Sequence, residues 1–176
     1  MPSLLFPDNT VLCNYAAVNE LSLLQELLRS NGRWTQAVYA EALRSSRQIP
    51  QLGAVASEGW LGEPIEIEDH EQVENIRLAR LGGSRTRPFE HLGEAETCHL
   101  IHNVTGYRDS IWITDDGAAF DFGRQLGIIT WDTRTTVEQL IAEGTLTARD
   151  GFALMGAMWS AERSPRRMPE RWQELQ

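Results

Sequence analysis

Acidic side chains stand at four places where the chain passes between patterned segments: Asp8 in "FPDNTVL", Glu41 in "VYAEAL", Glu94 and Glu96 in "LGEAETCHLI", and Asp115 and Asp116 in "ITDDGAAF". Each has an ordinary explanation. Asp is a favoured N-cap, because its carboxylate accepts a hydrogen bond from an unpaired N–H of the first turn, and a glutamate in a first turn is favoured by the helix dipole. Asp8 is therefore either a cap for the helical segment behind it or a ligand, and one of Asp115 and Asp116 caps the helix that begins at Gly117. What separates the readings is whether the fold brings these acids together. Four or five carboxylates in one place repel one another unless a divalent cation neutralises them. Hard oxygen ligands suit Mg²⁺ or Mn²⁺, and Mg²⁺ keeps several waters while taking one or two carboxylates and the phosphates of a substrate. The chemistry of such a pocket is phosphodiester hydrolysis by a metal-activated water, without a covalent nucleophile.

An open α/β sheet would gather these residues, since ligands bind beyond the carboxyl ends of its strands. Short apolar runs alternate with helical patterns along the chain, which is the mark of a parallel sheet covered on both faces. "SLLF" predicts a first strand, followed by helical segments to about residue 30 and a break at Gly32. "WTQAV" predicts a second strand with Glu41 opening the next helix, and "EPIEI", where Ile65 and Ile67 alternate with acids, predicts an edge strand. Helices follow over "DHEQVENIRLARLG" and from the arginine-bearing loop "SRTRP" through to about Val104. "DSIWITDD" is the clearest strand, being rich in β-branched and aromatic residues. "GAAFDFGRQLG" then predicts a helix, "IITW" a last short strand, and "TTVEQLIAEG" and "TARDGFALMGAMWSAER" two closing helices. Residues 1–160 read as one domain, and 161–176, with "SPRRMPERWQELQ", as a loosely attached tail broken by prolines.

Composition removes several classes of function. A chain of 176 residues, 41% of them hydrophobic, suffices for one domain with a real core. All 16 of its basic residues are arginines, so the lysine of a P-loop and Schiff-base chemistry are excluded. The same absence argues against a phosphoryl-accepting receiver site, which depends on a lysine. The formal charge of −9 argues against holding nucleic acid by a broadly basic surface, so any polyanionic substrate must be met by metal ions and local arginines. Arg85 and Arg87, just before Glu94, stand where they would reach a scissile phosphate. No run approaches the ~20 apolar residues of a membrane span, and no basic-then-apolar leader opens the chain, which leads us to expect a cytoplasmic protein. Cys13 and Cys98, far apart and outside any CxxC, read as reduced, buried thiols.

Taken in order and spacing, "FPDNTVL", "VYAEAL", "LGEAETCHLI" and "ITDDGAAF" resemble the four acidic motifs of PIN-domain proteins, and "HLGEAE" is similar to the GEAE-bearing branch of that family. The resemblance spans roughly residues 1–147. It implies a three-layer α/β/α sandwich around a central, mainly parallel sheet, and Mg²⁺- or Mn²⁺-dependent ribonuclease activity, often as the toxin of a toxin–antitoxin pair. It also implies that Asp8, Glu41, Glu94 and Asp116 are the catalytic, metal-site acids, with Asp115 as the alternative to Asp116. Asn9 and Thr10 would be the polar residues beside the first acid, and Thr114 the hydroxyl before the last. Two features depart from the family pattern: Pro7 stands directly before Asp8, and residues 49–88 are long and acidic, which suits an interface or a lid. The alternative function is a catalytically degenerate PIN-like module that binds RNA or a protein.

The remaining polar and aromatic residues have plain readings. His70, His91, His99 and His102 show no spacing that marks a base, and Trp34, Trp112 and Trp131 lie in apolar runs as core residues. The expected partners are RNA, an antitoxin protein and a second copy of the chain. A homodimer would use Leu21, Leu24 and Leu28 or Phe152, Met155 and Trp159, because the six acids of "EPIEIEDHEQVE" would repel their own copy.

Overall fold

In the computed structural model, which describes residues 3–176, three short strands run parallel: β1 (Leu5–Pro7), β2 (Ile111–Ile113) and β3 (Ile129–Trp131). They pair in that order, with Leu5 opposite Ile111 and Ile111 opposite Ile129. Successive side chains of a strand point to opposite faces, and both faces here are covered. Leu5 and Ile113 enter one apolar cluster, while Phe6 and Trp112 enter another. The chain is thus an α/β protein whose sheet separates two cores. Pro7 sits at the end of edge strand β1, where a missing N–H is tolerated. The ladder resumes one residue later, with the Asp8 N–H donating to the Ile113 carbonyl at 2.8 Å.

Helix outweighs strand among the described residues. Between β1 and β2 lie α1 (Asn9–Ala17), α2 (Leu21–Leu28), α3 (Gln36–Ser45), α4 (Leu52–Glu58), α5 (His70–Ala79) and α6 (Leu92–Asn103). One helix, α7 (Gly117–Gln125), connects β2 to β3, and α8 (Thr133–Ala142) and α9 (Ala148–Ser160) follow. Every strand therefore delivers the chain at the same end of the sheet into a helix, at Asp8, at Asp115–Asp116 and at Asp132. Of these four residues, Asp8, Asp116 and Asp132 N-cap α1, α7 and α8.

Three expectations are corrected. "WTQAV" is not a strand: Trp34, Ala37, Val38 and Ala42 are buried at helical spacing, and the Thr35 hydroxyl accepts the Val38 N–H to cap α3. A run this short fits either period, and the cap decided it. Glu41 consequently lies inside α3 instead of in its opening turn. "EPIEI" is not a strand either; it meets the α3 entry in a single bridge, Thr35 to Ile65. Nor is the tail loose. Leu175 is buried in the first core, and Arg167 forms a two-bonded pair with the buried Asp132. The faces expected to pair two copies are largely internal as well, since Leu24, Leu28 and Met155 are fully buried, leaving Phe152 and Trp159 exposed. Among the described residues no helix is long and apolar enough to cross a membrane.

Candidate metal centre

Asp8 answers both halves of the question its sequence raised. Its Oδ1 accepts the Asn9 N–H at 2.6 Å at the start of α1, and its Oδ2 accepts the hydroxyls of Thr10 at 2.9 Å and Thr114 at 3.2 Å. Asp8 is 2% exposed, and among the described residues no arginine lies within 4.0 Å of its carboxylate. Thr114 also accepts the Asp116 N–H at 3.1 Å, so one buried hydroxyl ties the acid after β1 to the acid after β2.

Glu41 and Glu94 arrive from packed helices. Gly93 makes the approach possible: a Cβ there would stand 3.0 Å from Val38 Cγ2 and 3.3 Å from each Glu41 carboxylate oxygen. The glycine of "LGEAE" is therefore a contact requirement of α3 against α6. Its N–H, at the positive end of α6, points to Glu41 Oε1 at 3.4 Å. One oxygen each of Asp8, Glu41 and Glu94 can be chosen so that all three lie within 4.8 Å of one another. Glu94 also belongs to a second such group with His91 and Asp116. The His91 Nδ1 is 3.4 Å from Glu94 and 4.0 Å from Asp116.

The electrostatics follow from this crowding. Burial, then the charge of Glu94, pushes the Asp8 carboxyl up to about 8 against the bonds from Thr10, Asn9 and Thr114. Burial and the charge of Asp8 raise Glu41 to about 8. Burial and the charge of Glu41 raise Glu94 to about 7. Three acids that strain to keep protons at neutral pH, with oxygen atoms converging and no arginine within 4.0 Å of their carboxylates among the described residues, fit a divalent hard metal ion: it would replace the protons and cancel the repulsion.

The other predicted residues fall elsewhere. Asp116 caps α7 with Oδ1, bonded to the Ala119 N–H at 2.8 Å, and turns Oδ2 toward the His91 side. Asp115 faces away from the three-acid group. Its oxygens accept from Asn14 Nδ2, from the N–H and hydroxyl of Thr133 and from the Arg166 N–H. Glu96 is also turned aside, accepting the Ala37 N–H at 2.9 Å to hold α3. Thr10 and Thr114 hold Asp8, and the Asn9 side chain bonds Ser45 at the end of α3. Arg85 and Arg87 are exposed on the loop before α6; Arg87 is paired with Glu90 at 2.9 Å, and Arg85 lies on the side of Glu74. The basic groups beside the acids come instead from the C-terminal segment, as Arg163, Arg166 and Arg167. Arg166 and Arg167, in "RRMPERW", fit an RNA grip in sequence but read first as a solvated tail, and no spacing pointed to Arg163 or to His91, whose left-handed backbone (φ 58°) at the head of α6 is a tertiary feature. Asp132, which directly follows "IITW", was open to the same strand-end reasoning that singled out Asp8.

Compared with protein-family models, with curated proteins and with solved structures, the chain matches none.

Proposed function

We propose that this protein is a divalent-cation-dependent endoribonuclease with a PIN-like fold, hydrolysing phosphodiester bonds of RNA. The observation that carries the reading is the convergence of buried Asp8 and Glu94 with half-buried Glu41, with no arginine in ion-pair reach among the described residues. A bound Mg²⁺ or Mn²⁺ supplies a more acidic water and charge neutralisation at the phosphoryl oxygens. Asp8, held by Thr10, Thr114 and the Asn9 N–H, offers its ligand oxygen in one orientation, and so needs no reorganisation when substrate arrives. Glu41 and Glu94 close the same site from α3 and α6, and Asp116 with His91 extends it toward the open side. The His91 imidazole stands where it can exchange a proton with an attacking water or a leaving oxygen. The resemblance to PIN-domain toxins adds a restraining protein partner and pairing of two copies to this proposal.

The test is cleavage of single-stranded RNA by the purified chain with Mg²⁺ or Mn²⁺, and with EDTA. Cleavage that EDTA abolishes and added metal restores is expected. RNA binding without cleavage under any divalent metal would leave a binding module in place of the nuclease.

A further inference from the structure

Beside the acid group lies a cavity of about 340 Å³, between Thr10 and Asn14 of α1, Asp115, Asp116 and Gly117 at the head of α7, and Glu162, Arg163 and Ser164 behind α9. That volume falls within the range of small-ligand sites. Its walls carry one guanidinium that the fold leaves unneutralised. Arg163 is half-buried, and its Nε donates to Asn14 Oδ1 at 3.1 Å. No carboxylate lies within 4.0 Å of it among the described residues. Next to the cavity, the Arg166 guanidinium stacks on Phe120 at 4.4 Å and lies over Gly117, where a Cβ would come within 3.1 Å of its Nη1. The Arg166 Nε is buried without any hydrogen-bond partner. Between the two arginines the first turn of α7 presents the Gly117 N–H, which has no acceptor within its own helix. Three acids also line the cavity: Asp115 is already bonded by Asn14, Thr133 and the Arg166 N–H, Asp116 caps α7 and turns its other oxygen toward His91, and Glu162 is exposed.

The segment that carries these arginines is fixed in place. The Arg163 N–H bonds the Met158 carbonyl at the end of α9, the Arg166 N–H bonds Asp115, and Arg167 pairs with Asp132. Cationic groups held rigidly next to a pocket of acids form a site for an anion that must also touch the metal, which describes a phosphodiester backbone lying across both.

We propose that this cavity binds a backbone phosphate of the polynucleotide, adjoining the phosphate held at the metal centre, with Arg163 as its principal contact and Arg166 and the head of α7 as support. The inference rests on the nuclease reading for the identity of the ligand. It gives residues 162–167 a role in seating substrate that neither Arg85 nor Arg87 is placed to fill.

The test uses the full chain, a fluorescein-labelled single-stranded RNA, and Ca²⁺ in place of a catalytic ion. Arg163→Ala should weaken RNA binding about ten- to hundredfold, the worth of a charge-assisted hydrogen bond. It should also lower the salt dependence by about 0.7 in log–log slope, as expected for one lost contact to a single strand. Arg163→Lys should restore most of the slope. Because Arg163 also holds Asn14, Ser164→Glu serves as a second variant: Ser164 is exposed, and the new carboxylate would face the phosphate. It should weaken binding without lowering the melting temperature, and both variants should keep the rise in melting temperature on adding Mn²⁺. Wild-type affinity and slope in Arg163→Ala and Ser164→Glu would overturn the subsite while leaving cleavage, and so the nuclease reading, intact. Arg163-dependent RNA binding by a wild-type chain that cleaves nothing would uphold the subsite and overturn the nuclease; no RNA binding by the wild type would overturn both.

Discussion

Asp8 and Asp132 occupy equivalent places, each a fully buried aspartate one residue beyond the end of an edge strand and each capping the helix that follows. Their surroundings are opposite. Burial pushes Asp132 up, but Arg167 outweighs it through bonds of 2.6 and 2.7 Å, aided by Thr135, and the carboxyl lies below its ordinary value. Asp8 receives only neutral donors and faces Glu41 and Glu94, so its carboxyl rises to about 8. Burying a charge is tolerable when the fold supplies its partner. At Asp132 the chain supplies one from its own C-terminus, and at Asp8 it supplies more acid. The first arrangement stabilises a fold, whereas the second carries the repulsion that the proposed metal ion would relieve.

The largest expected effect breaks the Asp8 side of this contrast. Asp8→Asn keeps the size and the acceptor for the Asn9 N–H but removes a ligand charge, and cleavage should fall about 10³-fold, the scale seen when a group acting on developing charge is lost. Without metal at pH 8 the variant should melt at or above the wild-type temperature, because repulsion is relieved. Near-wild-type rates in folded Asp8→Asn would remove Asp8 from the metal centre.

Breaking the Asp132 side should cost stability instead of chemistry at the acids. Arg167→Gln strands a buried carboxylate. Because the Arg167 side chain is 47% exposed, solvent screening trims the loss to about 2 kcal/mol, or about 4–8 °C in a chain of this size. Adding Asp132→Asn should recover part of that loss. Additive losses in the double variant would mean the pair is not coupled.

A pH series sharpens the contrast. In the folded chain Asp8 and Glu41 hold protons up to about 8 and Glu94 up to about 7, whereas ordinary carboxyls release theirs near 4. The unfolded state therefore binds fewer protons than the folded one between these limits, and stability declines as pH rises through them. In EDTA the melting temperature should fall by several degrees from pH 5 to pH 8. Mg²⁺ or Mn²⁺ should cancel most of that fall, since a bound ion replaces the protons and affinity grows as they leave. A metal-free melting temperature that rises over this range would contradict the raised carboxyls.

The smallest change concerns the approach of α3 to α6. Gly93→Ala places a methyl group 3.0 Å from Val38 and 3.3 Å from the Glu41 oxygens, which must shift by a few tenths of an ångström. Stability should drop about 1 kcal/mol, typical of mild overpacking, and metal affinity should weaken with it. Unchanged affinity, measured by the Mn²⁺-induced melting shift, would show that Glu41 tolerates the displacement.

The alternation of short apolar runs with helical patterns in the sequence was enough to determine an α/β chain with a parallel sheet, and to place "SLLF", "SIWIT" and "IITW" at or within a residue or two of its strands, because period and residue type are local properties. The acids at the strand ends were legible for the same reason: a parallel sheet sends every such junction to one end. The sequence could not decide whether "WTQAV" was strand or helix, since five apolar-patterned residues satisfy both periods until Thr35 caps the turn. Nor could it show which acids remain without a cation. Asp115 and Asp132 look as available in sequence as Asp8 and Asp116. Only the packed C-terminal segment decides: its Arg167 guanidinium pairs with Asp132 and its Arg166 backbone N–H bonds Asp115, while neither reaches Asp8. That choice depends on contacts between residues more than thirty positions apart, and a buried charge responds to its nearest partner in space, wherever that partner lies along the chain.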